Sequence, residues 1–284
     1  MELNEAISKY EKYIKVTKSE GTLNYFRGKI GIIKRYLGKV DCQAIDQEMI
    51  LDFIIQQKER NPNISNRTLN KYISTIKQVL KYSCKIKLEF EKMPEIRKII
   101  ETIPDELIHR IYAYYQKNQS NLLLERNYII FRLLNETGLR LNELLNLKVK
   151  DFDFKNLSIH VKKTKTNNER YVFFSEETHA LINLFIKKSK LVDRLFIDYV
   201  TGEPLKDYAV ESICQRLVKK LDLPQSISPH KWRHTFATRF ATSNGNIEVL
   251  RMIMGHSSLR TTQKYLHMNK ETLQKEYFRI HNLI

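Results

Sequence analysis

Several polar side chains in the C-terminal two thirds of the sequence stand where a turn or a helix end would hold them still. Arg140 follows the helix-ending pair Thr137-Gly138 and precedes Leu141 to Leu147, which reads as the start of another helix, so its guanidinium sits on a short, defined turn. A planar, permanently charged fork of donors suits a carboxylate or a phosphate. Glu143, three positions on, is the ordinary helical partner of such an arginine. If Arg140 binds a phosphate instead, the same carboxylate orients it. Ser228-Pro229-His230 has the grammar of a helix N-terminus, with serine as cap and proline at the first helical position. His230 and Arg233 then lie one turn apart and can meet one ligand, while Trp232 and His234 fall on other faces as packing or hydrogen-bonding groups. Ile247, Leu250, Met252 and Ile253 lead to Gly255, a left-handed terminator that presents His256 from the following loop. Thr261 or Thr262 then caps a short helix that carries Tyr265. Each residue alone has a bland reading: a surface ion pair, a satisfied structural imidazole, or one packed ring among 15 tyrosines.

The elements that must position these groups are mostly helical. Only 8 Gly and 6 Pro leave little material for turns, which favours long helices over a many-turned β fold. The first ~90 residues read as a helical unit. Ala6, Ile7, Tyr10, Tyr13 and Ile14 recur at helical spacing, and Thr22 is placed to cap a second helix bearing Phe26, Ile30, Ile33 and Leu37 before Gly38. After Ser65, Leu69, Tyr72, Ile73, Ile76, Val79 and Leu80 form an apolar stripe. Arg67, Asn70, Lys71, Ser74, Gln78 and Lys81 project from the other side, a face that could grip phosphates or simply be solvated. Pro94 and Pro104 interrupt the periodicity, which places a helical domain at 1–90, a linker at 91–104 and a second domain at 105–284. In that second domain Leu107, Ile108, Ile111 and Tyr115 share a helix face, and another helix covers Glu125 to Glu136. Val149 to Phe154, Leu157 to Lys162 and Tyr171 to Phe174 then read as a small antiparallel sheet. Leu273, Tyr277, Ile280 and Leu283 mark an amphipathic tail helix within 271–284 that docks either in its own chain or on a neighbour.

Composition narrows the function. The chain has 284 residues with 49 Lys+Arg against 32 Asp+Glu, a formal charge of +17 and a pI near 9.6. Residues 1–98 hold 20 basic and 12 acidic side chains and the remainder 29 and 20, so a polyanion that contacts both halves accounts for the excess better than one touching a single half. No run of ~18 apolar residues occurs and Met1 to Tyr10 lacks the pattern of a signal peptide. Cys42, Cys84 and Cys214 are too few and scattered for a disulfide framework or a metal site. The expectation is a cytoplasmic, nucleoid-associated protein with no membrane contact.

Three segments, in order and in spacing, resemble the signature boxes of the tyrosine recombinases of the phage integrase family. They are TGLRLNELLNL (Thr137 to Leu147), the box that opens SPHKWRHTF at Ser228, and MGHSSLRTTQKYLH (Met254 to His267). The likeness extends over nearly the whole chain, since Ser65 to Ser83 is similar to the last helix of that family's core-binding domain. It implies a two-domain clamp, a helical core-binding domain followed by a mixed α/β catalytic domain. It implies further that Tyr265 is the nucleophile, that Arg140 and Arg233 bind the scissile phosphate, that His230 assists proton transfer and that His256 donates to the phosphate. Aligning Glu169-Arg170 with the family's usual ending of the β-hairpin places Lys165 in the lysine slot, with Lys162 and Lys163 as competitors. Here the sequence reads Thr164-Lys165-Thr166 instead of the common Gly-Lys-Gly.

Those residue types fit the reaction. Two guanidiniums neutralise charge building on the non-bridging oxygens, a phenol with an ordinary pKa near ~10 needs a base in reach, and a lysine can protonate the departing oxygen. Exchanging one phosphate ester for another conserves bond energy, so no cofactor and no metal are expected. The implied partners are double-stranded DNA with a defined recombination site and three further copies of the chain, with room for an accessory DNA-bending protein. The favoured role is integration or excision of a mobile element or phage. The alternatives are an Xer-type resolvase of chromosome or plasmid dimers, a nicking-closing enzyme like the type IB topoisomerases, and a catalytically silent DNA-binding accessory protein.

Overall fold

Apolar residues at intervals of three and four, preceded by small polar residues that satisfy the first free N–H groups, produce the helices of the N-terminal region. The computed structural model describes residues 1–95, 100–118, 121–162, 169–191, 193–243, 245–256, 258 and 261–262. Its contacts divide the chain into two units, Met1–Lys98 and Ile99–Ile284. The first unit contains α1 (Leu3–Thr17), α2 (Glu20–Leu37), α3 (Gln47–Arg60) and α4 (Asn66–Val79). Ser19, Asp46 and Ser65 cap the last three, each accepting from the backbone N–H three residues on. The cap of α2 is thus Ser19 and not Thr22, whose N–H is instead the donor. Leu3, Ile7, Phe53, Leu69 and Ile76 lie at the centre of this unit's core.

The stripe from Leu69 to Leu80 is buried, as its spacing predicts. Asn70, assigned from its spacing to the polar side of that helix, is buried instead. Its Nδ2 donates to Met93 O at 2.9 Å and its Oδ1 accepts from Met93 N at 3.0 Å, so one side chain replaces the partners that an extended segment would otherwise lack. Past α4 the chain makes one π turn, Leu80–Cys84, and leaves it through Lys85 in the left-handed conformation.

The second unit is built around α6 (Leu122–Thr137), in which every residue from Arg126 to Leu134 is buried and which contacts both α8 (Glu176–Ser189) and α10 (Pro229–Thr242). Helix α5 (Asp105–Lys117) buries Leu107, Ile108, Ile111 and Tyr115, the face read from the sequence. Gly138 ends α6 at φ +60°, and a five-residue helix, α7 (Leu141–Leu145), follows. The sheet is antiparallel in the order β1 (Phe152–Asp153), β2 (Ser158–Val161), β3 (Arg170–Phe173), with Phe152 opposite Ile159 and Ile159 opposite Val172. Its first strand is shorter than the alternation suggests. Val149–Asp151 is a 3-10 turn, closed because the Asp151 carboxylate accepts the Lys148 N–H at 2.9 Å. Helices α9 (Asp207–Lys220) and α11 (Ile247–Met254) complete the described elements. The fold class is therefore mostly α with a small antiparallel sheet. Among the described residues no helix is long and apolar enough to cross a membrane.

Candidate active site

Helix α11 ends at Gly255, whose φ of +60° turns the chain and leaves the last carbonyls of the helix without intrahelical donors. Arginines take their place. Arg170 Nε donates to Ile253 O at 2.7 Å, Arg233 Nη2 to Met254 O at 2.6 Å, Arg140 Nη2 to Gly255 O at 2.9 Å and Arg251 Nη1 to His256 O at 2.9 Å. Four successive carbonyls thus accept from four different guanidiniums, three of them brought from α10, β3 and the turn before α7. The negative end of a helix dipole is a favourable place for that much positive charge.

The turn before α7 holds Arg140 as expected, with one difference in how the helix starts. Arg140 itself occupies the cap position, and the Glu143 side chain folds back to accept its backbone N–H at 2.9 Å. The other carboxylate oxygen accepts from Arg140 Nη1 at 2.8 Å. Glu143 is only 7% exposed, and its second cation is Arg170, 8% exposed, whose Nη1 and Nη2 reach Oε1 and Oε2 at 3.1 and 2.6 Å. Burial pushes the Glu143 carboxyl up, but the bonds and charge of Arg170, and then the donors of Arg140, outweigh it and hold the group below its ordinary value.

Arg233 is buried on α10, and besides Met254 O it donates to Gly138 O and to His256 Nε2, the last at 3.1 Å. A guanidinium can only donate, so Nε2 is the acceptor in that bond, which assigns the ring proton to Nδ1, 2.9 Å from Thr262 Oγ1. Thr261 and Thr262 are themselves helical and so do not cap from outside; the Thr262 hydroxyl is spent on His256. His230 is exposed on α10, one turn before Arg233. Its ring lies 4.2 Å from that of His234, so these two share a face that the sequence reading had separated. Trp232 packs as expected, fully buried against Phe131.

The structure therefore brings Arg140, Glu143, Arg233 and His256 together at the end of α11. Tyr265 and Lys165 lie outside the described residues, as do Lys163 and the tail helix. Lys162 is described and pairs with Asp151 at 3.6 Å. Arg67, Lys71 and Lys81 are exposed in the first unit, Arg67 within 3.4 Å of Glu95. Arg170 was used in the sequence only to register the hairpin; its signal was an arginine sharing the buried face of β3 with Val172. Among the described residues there is no group of three or more His, Cys, Asp or Glu side chains that could hold a metal ion. Burial pushes the Cys214 thiol up to about 12, far from a ready nucleophile.

Guanidiniums and an imidazole thus gather at one helix end, on a helical scaffold with a three-stranded sheet. Comparison with known proteins identifies the family. Residues 101–272 match the phage integrase family and residues 7–87 the N-terminal SAM-like domain of phage integrases. The chain belongs to the phage integrase family, the tyrosine recombinases, enzymes that cleave and rejoin DNA strands. It is 33% identical over 213 residues to the tyrosine recombinase XerA of Saccharolobus solfataricus, covering 75% of this chain and 67% of that one. It is 27% identical over 285 residues to a probable integrase/recombinase of Acholeplasma phage L2, covering 98% and 97%. Its fold matches the Tn1549 transposon integrase, solved in complex with transposon right end DNA, with a TM-score of 0.82, 22% identity and 99% of each chain covered.

Proposed function

We propose that this recombinase acts at a defined DNA site to integrate or excise a mobile element or phage, through a 3′-phosphotyrosyl intermediate on Tyr265. The phenolic oxygen attacks phosphorus, the bond from phosphorus to the 5′ oxygen breaks, His230 assists removal of the phenolic proton and Lys165 supplies one to the departing oxygen. Arg140 and Arg233 neutralise the non-bridging oxygens, with His256 as an additional donor and Glu143 orienting Arg140. For His256 to donate through Nε2, its proton must move from the Nδ1 side or a second proton must bind. Lys165 is preferred to Lys162 and Lys163 on the hairpin register that Glu169-Arg170 sets.

One observation carries this reading: Arg140 and Arg233, from separate boxes, donate to the adjacent carbonyls of Gly255 and Met254, directly beside His256. In the first unit Arg67, Lys71 and Lys81 contact the DNA backbone. Strand exchange then requires four copies on paired sites, with the tail helix docking on a neighbour. A second reading, Xer-type resolution of chromosome or plasmid dimers, is favoured by the 33% identity to a XerA recombinase.

Incubation with a nicked suicide duplex of the native junction, then denaturing electrophoresis and peptide mapping, tests the chemistry. A covalent band on Tyr265 that disappears in Tyr265→Phe, with DNA binding retained, is the expected outcome. Covalent capture that survives in Tyr265→Phe would refute it.

A further inference from the structure

The proposed chemistry requires Arg140 to keep one orientation as DNA arrives and leaves, yet its side chain is 31% exposed and long enough to wander. Glu143 restrains it at two points, the backbone N–H and Nη1. Glu143 is in turn fixed by Arg170 through two parallel bonds, the paired geometry that fixes a carboxylate in direction as well as distance. Arg170 has its own anchor in Ile253 O, at 2.7 Å from Nε. The bonds run from Ile253 O through Arg170, Glu143 and Arg140 to Gly255 O, a ring that starts and ends on one helix terminus. Gly255 leaves the space for it: a Cβ there would lie 2.9 Å from Arg170 Nη1. Arg170 is also the first residue of β3, five positions after Lys165.

We propose that Arg170 is a positioning residue for strand cleavage, setting the Arg140 guanidinium through Glu143. The inference rests on the assignment of Arg140 to the scissile phosphate. Lysine at this position keeps the charge but cannot make two parallel bonds and reach Ile253 O as well.

The test is single-turnover cleavage of a nicked suicide duplex carrying an Rp or an Sp phosphorothioate at the scissile position. The full-length wild type is compared with Arg170→Lys, Glu143→Gln, Arg140→Lys and the double variant R140K/R170K. Arg170→Lys should slow cleavage at saturating DNA by roughly 10- to 100-fold, the effect of a misplaced binding group, with DNA affinity nearly unchanged. Its Rp/Sp rate ratio should move in the same direction as that of Arg140→Lys, and the double variant should be no slower than Arg140→Lys alone. A ratio unchanged from wild type, or losses that multiply in the double variant, would overturn the proposal, since a merely structural arginine behaves that way. If Arg170→Lys does not fold, Glu143→Gln carries the same comparisons. Wild-type cleavage by Arg140→Lys would instead remove the phosphate assignment itself, and Arg170 would have nothing to position.

Discussion

Replacing Glu143 by glutamine should destabilise the second unit in a way that vanishes in acid. The carboxylate is 7% exposed and answers two guanidiniums, Arg170 at 2.6 Å and Arg140 at 2.8 Å. Removing one partner of a buried pair costs about 3–5 kcal/mol because the other charge is left uncompensated. Two features lower that figure here. Glutamine keeps one accepting oxygen, and the Arg140 side chain is 31% exposed, so water screens that half of the interaction. About 2–3 kcal/mol remains, mostly from Arg170, equivalent to a fall in Tm of roughly 5–10 °C for a unit of this size. The pH dependence follows from the depressed carboxyl. A group held below its ordinary value of 4.5 stabilises the fold above that value, and the contribution is lost as the pH drops through its folded value. Melting curves followed by circular dichroism from neutral pH downward should therefore show wild type and Glu143→Gln converging below about 4.5. A variant that melts with the wild type at neutral pH, or a deficit that stays constant into acid, would refute the reasoning.

Gly255→Ala places a side chain at φ +60° and a Cβ 2.9 Å from Arg170 Nη1. A loss of about 1–2 kcal/mol is expected in urea denaturation, where no loss would mean that the ring can shift freely. Thr262→Val removes the hydroxyl facing His256 Nδ1 inside the protein, and should cost about 1–2 kcal/mol. Nitrogen-15 spectra of the imidazole should then report a smaller share of the Nδ1–H tautomer. Asn70→Ala breaks both bonds to the Met93 backbone, for about 2 kcal/mol, and hydrogen exchange at the Met93 amide should accelerate. Replacing Arg67, Lys71 and Lys81 by alanine should flatten the dependence of log K on log salt for duplex binding by about 0.9 for each phosphate no longer neutralised. An unchanged slope would remove those residues from the DNA-binding surface.

What could be read from the sequence was what depends on neighbours in the chain. The turn that carries Arg140, the helix start that carries His230 and Arg233, and the stop before His256 were legible because caps, a proline and glycines fix them within one or two turns. The buried face of α5 was legible for the same reason: Leu107, Ile108, Ile111 and Tyr115 repeat with the period of the helix. Arg170 was not, because its partners are Glu143, 27 positions away, and Ile253, 83 positions away. Its strand also misleads. Tyr171 and Phe173 are the apolar pair a reader would turn inward, yet each is 56% exposed, and the face shared by Arg170 and Val172 is the buried one. Asn70 misled in the opposite sense. Its polarity argued for solvent, while the unpaired backbone of Met93 made an interior amide worth keeping. The turn at Val149–Asp151 escaped because alternation of apolar and polar residues does not reveal that a nearby aspartate will close the backbone on itself.

The acceptors at the end of α11 are main-chain oxygens, and this bears on how such a centre changes over generations. A carboxylate acceptor disappears with one altered codon, whereas the oxygens of Ile253 and Met254 survive any exchange that leaves the helix and its terminus intact. Apolar residues of similar bulk at these two positions should therefore keep the cations in place. Glycine at 255 is the exception, and a library randomised over 253–255 should return variety at the first two sites and near-invariance at the third.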